Sequence, residues 1–364
     1  MFEKAIEVIK LIEKKGFKAY IVGGYVRDIY LSLNASDIDI ATSATPKDLI
    51  KIFKKNVVID EKYGSTKLNY KNTYFDITTF RRDIKYKDNR KPTEIEYVDT
   101  IGEDLSRRDF TINTMCMDKD GNIIDVYDAK KDINNKIIKC VGNANEKMSE
   151  DSLRILRAIR FATILNFKLD KELEKAIKKN LSSLKTLSFH RKKEELNYIF
   201  RSSNYEYGLN LLSKFKLDKY LEISNLKKLK QTSDVLGMWA QIKYSDNYPF
   251  SRLERETISK IREMLIYKKI DSYSLYKYGI LISLTVGEIL GIDKKKILKD
   301  YEELSIHSEK DIVFDNLDIA GILGLEPSYK TREILLDIEY KILSKKLKNN
   351  EKELKEYIIR NYGG

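Results

Sequence analysis

Cysteine and proline are both scarce in this chain: Cys116 and Cys140 are its only thiols, and four prolines serve 364 residues. Two thiols at that length make no disulfide framework, which points to a reducing compartment, and the cytoplasm is the expected location. No apolar run approaches the roughly 20 residues of a membrane span, so no membrane partner is expected. The opening MFEKAIEVIKLIEKKGF spaces its apolar residues as a helix does and carries acids throughout, unlike a signal or transit peptide. There is no internal repeat and no low-complexity linker. With 42% hydrophobic and 34% charged residues the chain is expected to be globular, and its length calls for two or three domains.

Negative charge is what the middle of the chain lacks. Lys and Arg number 27 against 25 acids in residues 1–150, 31 against 18 in 151–300, and 10 against 13 in 301–364. A basic excess confined to one region suits a polyanion lying along it, although a chain rich in lysine throughout would also show it.

Up to about residue 140, strand and helix signals mix. AYIVGG and DIDIAT are short strand-like runs, NVVIDEKYGSTKLNYKNTYFDITTF has the pattern of paired strands, and GNIIDVYDA that of another. Helical spacing covers residues 2–14 and follows TPKDLIKIF. Beyond about residue 145 apolar residues recur at three and four, as in DSLRILRAIRFATIL. All four prolines (Pro46, Pro92, Pro249, Pro327) fall near apparent helix starts or turns. The expected fold is α+β, a mixed-sheet head followed by an all-helical remainder, with a soft division near residue 265.

In SDIDIAT the aspartates Asp37 and Asp39 share a strand face, because side chains alternate with a period of two. Paired carboxylates suit one or two divalent cations with hard oxygen ligands. Asp76 in TYFDITTF is a candidate third carboxylate, on one face with Tyr74 and Thr78. An N-cap or a solvated strand end would explain the pair equally well if it stood alone. Upstream, GGYVRD puts Gly23 and Gly24 between a strand and a helix, where backbone amides can approach a phosphate closely, with Arg27 and Asp28 in the helix's first turn.

GGYVRD…SDIDIAT, then SRRDFTINTM, then EDSLRILRAIRFA resemble, in order, the motifs of the class II nucleotidyltransferases of the polymerase-β superfamily. That family holds the tRNA CCA-adding enzymes and bacterial poly(A) polymerases. The resemblance covers the first two hundred residues well. It implies that Asp37 and Asp39 are ligands to Mg2+, that Asp76 is the third carboxylate, and that Gly24 and Arg27 contact a nucleoside triphosphate. It places Arg108 at the incoming nucleotide, and Asp109 and Asn113 around its sugar.

Read as one helix at about 100° per residue, EDSLRILRAIRF carries Glu150, Asp151, Arg154, Arg157 and Arg160 on one side and Ile155, Leu156 and Ile159 on the other. An ordinary amphipathic helix laced with i, i+4 ion pairs has the same pattern. By resemblance, Asp151 and Arg154 read the base. The chemistry suits that role, since cytosine and adenine both present an amino donor beside an unprotonated ring nitrogen. A carboxylate accepts from the first and a guanidinium donates to the second. Uracil and guanine reverse the pattern and leave both protein groups unsatisfied. Arg157 and Arg160 would face the base or the phosphates.

Within the family, the charged stretch RRDIKYKDNRKPTEIEYVDTIGEDLS resembles the flexible loop of enzymes that add adenosine. EKYGSTKL resembles the tRNA-specific form rather than the basic stretch of poly(A) polymerases. The C-terminal LDIAGILGLEPSYKTREILLDIEYKILSKKL resembles a tail that grips tRNA, with Ser328 where glycine is common. In SFHRKKEEL, His190 stands for a usual glutamate and Lys192 for an apolar residue, which leaves open how that segment braces the nucleotide-binding helix. The resemblance implies a catalytic head over 1–140, a base-recognising neck over 141–205, a helical body over 206–265 and a tRNA-binding tail over 266–364. The activity it implies is template-independent addition of C, C and A to the tRNA 3′ end from CTP and ATP, releasing pyrophosphate. An A-adding enzyme, a poly(A) polymerase and an inactive tRNA-binding relative remain alternatives. Trp239 and most tyrosines are expected in the core.

Overall fold

The computed structural model describes residues 1–35, 37–60, 64–86 and 92–363. The chain forms two compact units, Met1–Ile223 and Ser224–Gly364.

The first unit opens with α1 (Phe2–Glu13), which buries Ala5, Val8, Ile9 and Ile12 at the spacing that puts them on one face. Next come β1 (Ala19–Val22), α2 (Gly24–Tyr30), β2 (Asp39–Thr42) and α3 (Pro46–Phe53). Pro46 opens α3 behind a capping box of Thr45 and Asp48. Then follow β3 (Val57–Asp60), β4 (Ser65–Tyr70), β5 (Thr73–Thr79), β6 (Arg81–Tyr86), β7 (Pro92–Tyr97), α4 (Ile101–Ser106), β8 (Met115–Met117), β9 (Ile123–Asp125) and α5 (Ala129–Asn134).

Seven of these strands make one mixed sheet in the order β3-β4-β5-β2-β1-β8-β9, in which β2 and β5 run parallel and the other neighbours antiparallel. The parallel pair sets Asp39 directly opposite Asp76. Burial alternates as the pattern requires: Phe75 and Ile77 are buried, while Tyr74 and Asp76 are exposed. Strands β6 and β7 form a separate hairpin with register shifts after Asp83. Pro92 is the first residue of β7, a strand position where a missing N–H costs little. Of the two family-assigning stretches near here, residues 87–91 of RRDIKYKDNRKPTEIEYVDTIGEDLS and residues 61–63 of EKYGSTKL lie outside the described residues.

The rest of the unit is mainly helical, apart from the short parallel strand pair Ile137–Ile138 and Lys168–Leu169: α6 (Ala144–Glu150), α7 (Leu153–Leu165), α8 (Lys171–Asn180), α9 (Phe189–Arg201), α10 (Tyr205–Lys214) and α11 (Asp218–Leu221). Here the single helix expected over Glu150–Arg160 is corrected. Asp151 is extended (φ −145°, ψ 110°) and separates α6 from α7. Its carboxylate accepts the Leu153 N–H at 2.9 Å, capping the second helix instead of continuing the first. From Leu153 on, the apolar face packs as expected, with Ile155, Leu156 and Ile159 fully buried.

The second unit holds α12 (Val235–Gln241), α13 (Arg252–Tyr267), α14 (Ser272–Leu290), α15 (Lys294–Glu302), α16 (Asn316–Leu323), α17 (Tyr329–Leu343) and α18 (Glu351–Tyr362). Residue 265, where the sequence suggests a division, lies inside α13; the structural division falls between 223 and 224. Gly279, at φ +76°, breaks α14 in its middle. Trp239 is fully buried among Tyr244, Tyr248 and Phe250, at ring separations of 4.9 to 5.3 Å. Among the described residues no helix is long and apolar enough to cross a membrane.

Candidate active site

A cleft of 470 Å³ in the first unit is lined by Gly23, Gly24, Arg27, Asp39, Arg81, Asp83, Arg107, Arg108, Asp109, Asn113, Asp151, Leu153, Arg154, Arg157 and Phe161. Residues from three separated sequence motifs thus meet around one space.

The β1–α2 turn supplies the first wall. Gly23 has φ +79°, a conformation side chains rarely adopt, and a Cβ there would lie 2.8 Å from Arg108 Nη1. The backbone conformation therefore favours glycine, and a Cβ would push the end of the Arg108 side chain from its place. Arg27, buried in α2, pairs with Asp28 at 2.7 Å and donates to Asn113 Oδ1 at 2.6 Å. Asn113 in turn donates to Asp109 Oδ1 at 3.2 Å, and Asp109 Oδ2 accepts from Arg157 Nε. This chain fixes α2 to α7 across the cleft. Burial alone would raise the Asp109 carboxyl, but Arg157, Asn113 and the Phe110 N–H bring it down to about 2.

Asp37 and Asp39 flank buried Ile38, and both carboxylates are exposed. Strand β2 begins only at Asp39, so Asp37 precedes it, yet the alternation holds. Partial desolvation raises the Asp39 carboxyl; Arg108 opposes this, while Asp76 and Asp37 add to it. Crowded like charges of this kind fit a divalent cation with oxygen ligands. Among the described residues no group of three or more Asp, Glu, His or Cys is arranged to hold a metal. Asp76, opposite Asp39 on the neighbouring strand β5, is the carboxylate the register brings beside the pair.

Arg154 lines the cleft beside Asp151, and its guanidinium is held by the Glu150 carboxylate and the Lys147 carbonyl, at 3.0 Å for the latter. Asp28 and Glu150 stand behind the wall as partners of Arg27 and Arg154. Arg160 also stands back, bound to Glu195 on α9 at 3.0 Å. That pair braces α7, and Lys192 is accommodated next to it: buried, it donates to the Tyr220 carbonyl at 2.9 Å and lies 4.4 Å from the Phe189 ring centroid.

Sequence reasoning left Arg81, Asp83, Arg107 and Phe161 without a role, although all four line the cleft. Phe161 has the guanidiniums of Arg27, Arg157 and Arg160 within 4.5 to 5.3 Å of its ring centroid. Its place directly after Arg160, on the arginine-bearing side of α7, was the available signal.

Residues 19–139 match the family described as the poly A polymerase head domain. Residues 166–225 match the probable RNA and SrmB-binding site of polymerase A, and residues 246–358 match tRNA nucleotidyltransferase domain 2. The chain is 34% identical to a CCA-adding enzyme of Ligilactobacillus salivarius, over 99% of this chain and 96% of the relative. It is 32% identical to that of Staphylococcus haemolyticus, over 99% and 98%. The crystal structure of Bacillus stearothermophilus CCA-adding enzyme in complex with CTP superposes with a TM-score of 0.89 at 25% identity, covering 99% of this chain and 97% of that one. A Thermotoga maritima CCA-adding enzyme complexed with tRNA shares the fold at 20% identity and a TM-score of 0.70.

Proposed function

The chain belongs to the CCA-adding enzymes, nucleotidyltransferases with a poly(A) polymerase-type head, and we propose that it completes the tRNA 3′ end with C, C and A from CTP and ATP. The observation that carries this reading is the meeting, in one cleft, of Asp39 from the acidic strand edge with Asp151 and Arg154 from the α6–α7 junction. Reaction centre and base selection need to be that close, because a single nucleotide spans them.

In the proposed reaction the RNA 3′ hydroxyl attacks the α-phosphate and pyrophosphate leaves. Asp37 and Asp39 would hold Mg2+, which when bound lowers the pKa of the hydroxyl and neutralises charge on the phosphates. Asp76 is the third carboxylate. Gly23, Gly24, Arg27 and Arg108 receive the triphosphate, while Asp109 and Asn113 order the sugar's surroundings. Asp151 and Arg154 select C and A, Glu150 and Asp28 orient their arginines, and Arg157 and Arg160 complete the cationic side. No covalent intermediate is involved, so rate comes from positioning and charge stabilisation. We assign catalysis to residues 1–140, base recognition to 141–205, and tRNA binding to the helical segments 206–265 and 266–364, in a cytoplasmic enzyme.

The test uses tRNAs ending before CCA, after C and after CC, each incubated with CTP or ATP. Addition of C to the first two and of A to the third is expected. Addition of A alone would make this an A-adding enzyme, and untemplated A tails on all three a poly(A) polymerase. No incorporation at all would leave only an RNA-binding relative.

A further inference from the structure

Arg108 is the least neutralised arginine of the cleft. Arg27, Arg154 and Arg157 each reach a carboxylate oxygen at 2.7 Å or less. Among the described residues the only ion pair of Arg108 within 4 Å is to Asp104 Oδ2, at 3.7 Å. Its Nε is buried without a hydrogen-bond partner, and its Nη1 donates to the Asn113 carbonyl at 3.3 Å. A largely desolvated guanidinium with an unused buried Nε is costly until an anion meets it.

Asp104, on α4, is fully buried and does not line the cleft. Its Oδ1 accepts from the Arg81 N–H at 3.2 Å and from Arg107 Nε at 3.0 Å. Its Oδ2 faces Arg108 with no hydrogen bond of its own. One carboxylate thus ties the first residue of β6 to two consecutive arginines, satisfying Arg107 and leaving Arg108 short of a partner. Gly23 completes the arrangement, since only a residue without Cβ leaves Arg108 Nη1 its place.

We propose that Asp104 is a positioning residue for the nucleotide's triphosphate, holding Arg108 at the cleft wall with donors left open for phosphate oxygens. The inference rests on the nucleotidyltransferase reading for the identity of the anion. Asp104→Asn keeps an acceptor for the Arg81 N–H but removes the charge and turns an amide N–H₂ toward one of the arginines. Arg108 then loses the one carboxylate within 4 Å of it among the described residues.

The experiment measures binding of CTP, ATP and inorganic tripolyphosphate, each with excess Mg2+, to the full-length wild type and variants by titration calorimetry. Asp104→Asn is expected to weaken all three by about tenfold, the size of one charge-assisted hydrogen bond, with the CTP-to-ATP ratio unchanged. Arg108→Gln should lose a similar factor, and adding Asp104→Asn to it should cost nothing more. A merely structural role would instead add its loss to that of Arg108→Gln, or change CTP and ATP unequally. Wild-type affinity for tripolyphosphate in Asp104→Asn overturns the proposal. So does wild-type affinity in Arg108→Gln, whether or not Asp104→Asn folds. Tripolyphosphate binding requires no RNA, so a wild type unable to extend tRNA would remove the CCA-adding reading and leave this comparison standing.

Discussion

Asp109 illustrates how a carboxylate is kept charged at the edge of a cleft lined by arginines. It is buried, which by itself favours the neutral acid, yet Arg157, Asn113 and the Phe110 N–H hold it at about 2. A carboxyl with a folded pKa below its unfolded value stabilises the fold above the unfolded value, and that stabilisation is lost as pH falls through the folded one. Here the window runs from about 4 down to about 2. Asp109→Asn should therefore lower Tm by the equivalent of roughly 2 kcal/mol at pH 7. The difference from wild type should stay constant from pH 8 to pH 5 and begin to shrink only below about pH 4. Scanning calorimetry across that range checks it, and a difference that already fades between pH 7 and pH 5 would mean that Asp109 is not held this low. The residue itself was legible in SRRD; its partner was not. Arg157 lies 48 residues further on, and only the fold decides which of three nearby arginines reaches back.

Helix α7 is where local pattern and tertiary structure part company. The wheel drawn through Glu150 and Asp151 treats them as one surface with Arg154, but the chain is extended at Asp151. Asp is a poor helix-interior residue and a good cap, so the break was latent in the sequence as much as the helix was. Asp151 thus carries two duties, a cap to the Leu153 N–H and the proposed acceptor from the base, and substitutions can separate them. Asp151→Ala should lose the cap, about 1 kcal/mol, and drop Tm by some 2 to 4 °C. Asp151→Asn keeps a side-chain oxygen for the cap and should hold Tm close to wild type. Both should admit UTP in primer-extension competition against CTP. If the asparagine variant kept wild-type base preference, the carboxylate would have no part in selection. The hairpin β6–β7 was hidden for a different reason. RRDIKYKDNRKPTEIEY has little apolar alternation because its stability comes from pairing and from anchors such as Asp104 at its base, which sequence periodicity does not register.

At the scale of the whole molecule, the α+β head and the helical remainder were both visible, because periods of two and of three to four mark them directly. The division between units was not, since 223/224 falls within a two-residue strand, Ile223–Ser224, that neither a change of period nor a linker marks in the sequence. Charge distribution needs no fold to be read, and it makes the last prediction. With 31 basic residues against 18 acids in residues 151–300, tRNA binding should draw most of its free energy from phosphate neutralisation and release of counterions. Log affinity should then fall linearly with log salt, by about 0.7 to 0.9 per neutralised phosphate, and six such contacts would cost on the order of a thousandfold between 50 and 200 mM. Lys178 and Lys179, both exposed near the basic end of α8, are the pair to remove. The double change to alanine should flatten the slope by between one and two units while leaving the binding of CTP and tripolyphosphate as in wild type, since neither lysine lines the cleft. Filter binding at five salt concentrations gives the slope. An unaltered slope would place the RNA on another face of the basic region, and a slope near zero in the wild type would show that its excess charge serves something other than RNA.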